Sequence, residues 1–452
     1  MKIKTMKEAE DLIYHSYLRA IGHITEVKDE NVKRPELTRR LLDLLGAPDK
    51  GQRFILVTGS KGKGSTARFI SSLLCHLGMK VGLFTSPHLV HFNERIRVDG
   101  KAISDTDFIR ISNVVSTKVD SIEKTLERNE YQGPIGIALS LASIYFKEQQ
   151  TDINVIECGR GGKYDDTNVL ENEWAVITPV MEEHIENLGP KLSNIMTHKL
   201  GIIKKSTKHV YIQKQTEEAE RLIRRQLDIM KRYSYSIYGS DFQIEEVSLT
   251  TAGMVFDVRT NKASYNKLTL PLLGEFQALN AGIALRIAED FCPGSLNQIV
   301  VKACFKKIQW PGRCEIIGRN PTVIVDGAIN EETATYVKHV VQMINKEHKK
   351  KTVSIVSVPV NKDYQGVIKT LSEVSDQLIL TVPDKSHLTF PDDDLDIALH
   401  YQKNSVKLAS LEKALQYVHK KLDVDLIVIA GTQTFIGNAK RLYGHSLMDI
   451  GK

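Results

Sequence analysis

Short apolar runs that break into polar or glycine-bearing turns recur through the first two thirds of the chain, at 54–58, 80–84, 153–157, 175–180 and 210–212. Several are followed by a stretch of helical period, as residues 67–77 follow the first, so the pattern predicts an α/β fold with a mostly parallel sheet covered by helices. Ligands of such sheets gather beyond the carboxyl ends of the strands. From about residue 242 to 270 the pattern turns to closely spaced strands with hairpin-like breaks, and 275–291 reads as an alanine-rich helix. Trp310-Pro311-Gly312-Arg313 interrupts the alternation; strands at 323–326, 352–358, 377–381 and 425–430 then alternate with helices such as 331–346 and 411–422. The chain is thereby expected to divide into a larger domain, 1–308, and a smaller Rossmann-like domain, 309–452.

A length of 452 residues allows two or three domains, each with a core of its own. No apolar run approaches the roughly 20 residues that span a bilayer, and residues 1–10 are charged with no apolar stretch, so a cytoplasmic protein that does not engage membranes is expected. The five cysteines, Cys75, Cys158, Cys292, Cys304 and Cys314, are scattered without C-x-x-C spacing, which points to reduced thiols and away from structural zinc. The net charge of +6 is spread along the chain, with small lysine clusters at 204–205 and 349–351. Aromatic residues do not interleave with these clusters, so they read as solvated surface and not as a nucleic-acid patch. The basic balance still favours collection of anionic small molecules.

The first strand run opens directly into candidate chemistry. Residues 54–66, Phe-Ile-Leu-Val-Thr-Gly-Ser-Lys-Gly-Lys-Gly-Ser-Thr, pass from an apolar strand into a glycine-rich turn with a lysine and a hydroxyl pair. Backbone N–H groups of Gly59, Ser60, Lys61, Gly62 and Gly64 are placed to wrap anionic oxygens, Lys63 to reach the β- and γ-phosphates, and Ser65 or Thr66 to face Mg²⁺ at the helix start. The predicted cofactor is ATP. Other strand ends carry polar groups that a bound phosphate would meet: Ser86 after the second run, Glu157 at the end of the third, and Glu183-His184 after the fourth. Phosphate-bound Mg²⁺ usually takes only one or two carboxylates, so a single strand-end glutamate suffices.

In order along the chain stand V-T-G-S-K-G-K-G-S-T (57–66), T-S-P-H-L-V-H-F-N-E-R-I (85–96), I-E-C-G-R-G-G-K-Y-D-D-T-N (156–168), E-H-I-E-N-L-G (183–189), H-K-L-G-I-I-K (198–204), G-E-F-Q-A-L-N-A (274–281), P-G-R (311–313) and D-G-A-I-N (326–330). With these segments the chain resembles the folylpolyglutamate synthase and dihydrofolate synthase family, within the Mur ligase superfamily of ATP-dependent amide ligases. The resemblance implies a P-loop parallel-sheet ATPase domain followed by a smaller ligase domain. It implies that Lys63 and its neighbouring amides hold ATP phosphates. Ser65, Ser86, Glu157 and His184 would stand around one or two Mg²⁺ ions. Lys199 matches a lysine that is often carbamylated, Gln277 and Asn280 fall where the family contacts nucleotide, Arg313 where an interdomain arginine reaches the phosphates, and Asp326 where the small domain approaches adenosine and the incoming amine. Lys63, Lys199, His184 and Arg313 are thus the candidate catalytic set.

The implied reaction joins a carboxylate to an amine through an acyl phosphate, with glutamate and a folate or dihydropteroate-type acceptor as the leading pair and a monomer or weak homo-oligomer as the expected state. Departures from the family pattern fall mainly on the substrate side. Gly133-Pro134-Ile135-Gly136-Ile137 replaces a stretch whose phenylalanine lines the pterin pocket, Ile329 replaces a histidine near the amine, Phe276 replaces another histidine, and Lys61 replaces an asparagine in the cradle. Two alternatives remain open: the same chemistry on a different carboxylic acid and amino acid, or a non-catalytic ATP-binding switch.

Overall fold

The computed structural model describes residues 2–230, 233–250, 253–345, 350–383, 388–421 and 423–452. Its large sheet has eight strands: β1 (Phe54–Thr58), β2 (Val81–Phe84), β3 (Ile96–Val98), β4 (Lys101–Ala102), β5 (Ile153–Glu157), β6 (Trp174–Ile177), β7 (His209–Ile212) and β8 (Ser234–Ile237), in the order β4-β3-β2-β5-β1-β6-β7-β8. The six strands from β2 to β8 in that order are parallel, and β3 and β4 form an antiparallel edge. The period-2 alternation of a strand places Phe54 and Leu56 in one core layer and Ile55 and Val57 in the other. Helices Asp105–Glu123 and Pro134–Glu148 cover the first face; α1 (Lys63–His76) covers the second.

Three antiparallel strands follow, β9 (Phe242–Thr250), β10 (Gly253–Thr260) and β11 (Ser264–Leu270), as the hairpin-like pattern predicts. The second sheet has the order β12-β13-β17-β14-β15-β16, built from β12 (Glu315–Arg319), β13 (Thr322–Asp326), β14 (Thr352–Ser357), β15 (Gln377–Leu380), β16 (Val406–Lys407) and β17 (Leu426–Gly431). Four helices matter below: α2 (Leu192–Leu200), α3 (Glu275–Ala288), α4 (Glu331–Ile344) and α5 (Gln433–Leu442).

Several boundaries differ from the sequence expectation for identifiable reasons. α1 begins at Lys63 and not at Ala67, because the loop itself supplies the first helical turn. β6 stops at Ile177, since Thr178 and Pro179 leave the sheet to hold the loop after β1. The helix expected to reach 291 ends at Ala288 and tightens into a 3₁₀ turn over Glu289–Phe291. The predicted last residues of the helices at 331–346 and 411–422 lie outside the described residues, as does Lys349. Lys204 is not solvated surface: its ammonium donates to the carbonyls of Asn168 and Leu170, and burial lowers its pKa to about 8.

Among the links between the parts that carry the two sheets, two follow the path of the chain. The first link is the turn after Gln309. The second is a tail in which Ala102 N donates to Met448 O at 2.7 Å, Arg97 Nη2 to Leu447 O at 2.7 Å and Arg68 Nη2 to Gly451 O at 2.8 Å. All five cysteines are free thiols. Among the described residues no helix is long and apolar enough to cross a membrane.

Candidate active site

The loop after β1 sits at the carboxyl end of the parallel strands and its shape is dictated by glycine. At Gly59 (φ 144°) a Cβ would lie 1.9 Å from Thr178 Oγ1, so no side chain fits where the loop crosses the end of β6. Ser60 N donates to Pro179 O at 2.7 Å, and Ser60 Oγ exchanges hydrogen bonds with the backbone of Met181, its hydroxyl accepting from Met181 N at 3.0 Å. Thr178 Oγ1 donates to Lys61 O at 2.6 Å. Ser60 and Lys61 therefore anchor the loop through their backbones. Gly62 (φ 80°) is the N-cap of α1, and the following N–H groups of Lys63, Gly64 and Ser65 have no carbonyl of a preceding turn to reach, which makes this helix start an anion site.

Below the loop, α3 supplies Asn280 and Gln277, both buried. Asn280 Oδ1 accepts from Thr66 Oγ1 at 3.2 Å and from Gln213 Nε2 at 2.9 Å, while Asn280 Nδ2 donates to Gln277 Oε1 at 3.2 Å. Thr66 is thus turned inward, and of the hydroxyl pair Ser65 is left for a ligand. Gln277 Nε2 is buried with no acceptor. A Cβ on Gly62 would lie 2.6 Å from Asn280 Oδ1, at a backbone angle that disfavours L side chains. Gly62→Ala is therefore expected to lower stability by about 1–3 kcal/mol, read as a lower denaturant midpoint at unchanged slope.

Above the loop, Glu157 ends β5 and is 5% exposed. Its Oε2 accepts from Ser86 N at 2.9 Å and lies 3.2 Å from the position a Cβ on Gly64 would take, a space closed on the other side by Trp310. Burial pushes the Glu157 carboxyl up, with Lys63, the Ser86 N–H and Arg313 acting in the opposite direction. Lys63 Nζ donates to Gly59 O at 2.9 Å and Ser60 O at 3.4 Å. Gly64, Ser86, Glu157, Trp310, Arg313 and Gln433 share the lining of one cavity of about 40 Å³ between the two sheets.

Beside it, Lys199 on α2 is 1% exposed and its Nζ is 3.1 Å from Glu183 Oε1. Burial, and then the charge of Lys63, bring Lys199 down to about 8. Burial raises Glu183, but Lys199 and Lys63 outweigh it and leave the carboxyl below its ordinary value. His184, in the left-handed region at φ 50°, starts the short helix Ile185–Leu188; desolvation lowers its pKa, which keeps the ring neutral and able to ligate. The field of Lys63 reaches Glu157, Glu183, His184 and Lys199 alike, so the sequence candidates from four separate segments converge on one place.

Arg313 and Asp326 come from the smaller sheet's side. Asp326 Oδ2 accepts from Cys314 N at 2.8 Å, so its carboxylate braces the turn that carries Arg313. Two of the substituted positions, Lys61 and Phe276, meet the smaller sheet's side, whereas Gly133 and Gly136 pack against Thr38 and Asp166. Lys61 Nζ is 3.8 Å from Glu332 Oε2 at the start of α4, and Phe276 meets Tyr336 of α4 edge-on at 5.3 Å between ring centroids. Spacing gave no sign of Glu332, Tyr336 or Gln433, whose only signal is the fold, and Trp310 showed only as part of the break at 310–313.

The donor set fits a phosphate-bound Mg²⁺. Among the described residues no three His, Cys, Asp or Glu side chains cluster as a metal site, but a hard cation with phosphate ligands asks for only one carboxylate and hydroxyl oxygens, for which Glu157, Ser65 and Ser86 are the candidates.

Residues 57–288 match the Mur ligase middle domain. A phosphate loop on a parallel sheet, closed by a smaller α/β domain, is the arrangement of these ligases, and the protein is an ATP-dependent ligase that forms C–N bonds. The chain is 30% identical over 411 residues to the dihydrofolate synthase/folylpolyglutamate synthase of Bacillus subtilis (strain 168), covering 89% of this chain and 93% of that protein. It superposes with a TM-score of 0.81 on Mycobacterium tuberculosis folylpolyglutamate synthase complexed with ADP and AMPPCP, at 26% identity over 92% of this chain and 97% of that one. An FPGS–AMPPCP–folate complex matches with a TM-score of 0.75 at 25% identity, over 97% of this chain and 100% of that one. The chain belongs to the dihydrofolate synthase/folylpolyglutamate synthase family.

Proposed function

We propose that this protein joins glutamate to a folate or dihydropteroate-type carboxylate, using ATP and Mg²⁺ and passing through an acyl phosphate. The observation that carries this reading is the convergence of Lys63, Glu157, Glu183, Lys199 and Arg313 at one loop, in a chain that matches its relatives over most of their length. An oxygen of the acceptor carboxylate attacks the γ-phosphorus, the bond to the β-phosphate oxygen breaks, and ADP leaves with the electron pair. The amine nitrogen then attacks the acyl carbon, loses a proton, and inorganic phosphate departs with the C–O bond electrons. Lys63, the amides at the start of α1 and Arg313 offset negative charge as it moves between phosphate oxygens. Glu157, Ser65, Ser86 and His184 would hold Mg²⁺, which would supply further charge neutralisation. Gln277 Nε2, buried without an acceptor, is the group of its pair with capacity left for a nucleotide oxygen. Asp326 approaches the adenosine and amine side through the turn it braces. The domains divide at 308/309, and the protein acts in the cytoplasm as a monomer or weak homo-oligomer without nucleic acid.

Lys199 is suited to carbamylation, in which its neutral amine attacks carbon dioxide, forms an N–C bond and releases a proton. With a pKa of about 8, roughly a tenth of the side chain is neutral at pH 7, and the fraction rises as pH passes through 8. Lys199→Ala is expected to lower kcat about tenfold or more, with partial rescue by added short carboxylates. A fully active Lys199→Ala variant removes this role.

The substituted positions, Ile329 among them, make substrate the point to test. Purified protein is offered a panel of acceptors, dihydropteroate, tetrahydrofolate and other carboxylic acids, with each common amino acid, and products are read by mass. A folate product carrying one added glutamyl residue supports the proposal; products only from another pair transfer the same chemistry to a different amide.

A further inference from the structure

We infer that the buried ion pair Glu315–Lys440 is a positioning device for Arg313. It rests on the reading of Arg313 as a phosphate-directed residue. The arginine sits in a turn with two left-handed residues, Gly312 at φ 75° and Cys314 at φ 47°, the second of which has a side chain and is costly without restraint. The guanidinium has no carboxylate within ion-pair distance among the described residues; the hydrogen bond it makes is to Gly312 O at 3.4 Å. Nothing on its own side chain fixes it, so its aim depends on the backbone of the turn.

That backbone is held by three hydrogen bonds. Glu315 Oε2 accepts from Gly312 N at 3.1 Å, Asp326 Oδ2 accepts from Cys314 N at 2.8 Å, and Gly327 N donates to Gly312 O at 3.2 Å. Lys440 Nζ, on α5 and 1% exposed, donates to Glu315 Oε1 at 2.5 Å. One carboxylate therefore ties the turn to α5, and a Cβ on Gly312 would meet Ile436 of the same helix at 2.9 Å. Every side-chain anchor comes from β12, β13 or α5. The large-sheet side adds a backbone bridge from Leu272 to Glu315. Arg313 is thus fixed to the smaller domain, while the cavity it lines is shared with Glu157 and Gly64 of the larger one. A buried pair of this kind adds little net stability over an apolar replacement, which leaves orientation as the property it contributes here.

The test is a double-mutant cycle on kcat and on KM for ATP, with thermal unfolding of each variant. Lys440→Met and Glu315→Gln are each expected to lower kcat about 10- to 100-fold with KM for ATP changed less, the loss typical of a displaced catalytic group. In an Arg313→Ala background, the same substitutions should lower kcat by less than about twofold further, because the group they aim is already gone. Equal losses in both backgrounds overturn the inference, since a purely structural role is indifferent to residue 313. If Lys440→Met does not fold, Glu315→Gln decides, as it keeps the volume and an acceptor for Gly312 N. A fully active Arg313→Ala variant contradicts the phosphate reading itself, whereas an impaired Arg313→Ala variant with additive losses contradicts only the positioning role.

Discussion

Lys63→Ala is expected to abolish ligation, with kcat/KM reduced about 10²–10³-fold, the scale set by loss of one preorganised charge contact in phosphoryl transfer. Lys63 is the first residue of α1 and its ammonium lies over the loop, donating to Gly59 O and Ser60 O. In that position it serves two functions at once. It offers a positive charge where γ-phosphate oxygens would sit, and it balances the buried carboxylate of Glu157 and the half-buried one of Glu183. Alanine removes both. The variant should still fold, since Lys63 is partly exposed and the loop is shaped by Gly59, Gly62 and Thr178. Steady-state kinetics with matched circular dichroism checks this, and retained turnover in the folded variant would show that the loop is not the phosphate site.

Glu157→Gln is expected to lower activity by about 10² or more while leaving the protein as stable as before or more so at neutral pH. The amide keeps the shape and an acceptor for Ser86 N, but it cannot neutralise a divalent cation. The stability sign follows from the raised carboxyl pKa, which burial causes. The folded protein holds the proton more tightly than the unfolded chain, so stability falls as pH rises from the ordinary carboxylate range through the folded value. Glutamine lacks that titration. The advantage of the variant should therefore be present at neutral pH and vanish in acid, and urea midpoints across pH measure it. A variant with normal activity and normal Mg²⁺ dependence would remove Glu157 from the metal site.

The candidate site was legible in the sequence where it is written in consecutive residues. The cradle at 57–66 and Glu157 at a strand end were proposed from consecutive residues alone, Lys199 only from the resemblance of its segment to the family, and the central strands of both sheets announced themselves as apolar runs. Short edge strands did not, because β4, β8 and β12 stand at the ends of their sheets and carry mixed residues. The finer placement of side chains was also hidden. Nothing local distinguishes Ser65, left for a ligand, from Thr66, which turns in to Asn280 across 214 positions of sequence. The motif gave Asp326 as a nucleotide contact and carried no sign that its carboxylate also accepts the Cys314 N–H. Glu315 and Lys440 lie 125 residues apart and meet only because β12 and α5 are neighbours in the folded smaller domain. The pairing of Lys61 with Glu332 is of the same kind.

The most direct measurement of the central claim is ADP release from the purified protein in four mixtures: ATP and Mg²⁺ alone, with a folate acceptor, with glutamate, and with both. Turnover is expected only in the complete mixture, with one ADP formed for each glutamyl bond. Release of ADP at the same rate in every mixture, or ATP binding without turnover in any mixture of acceptor and amine, would contradict the claim.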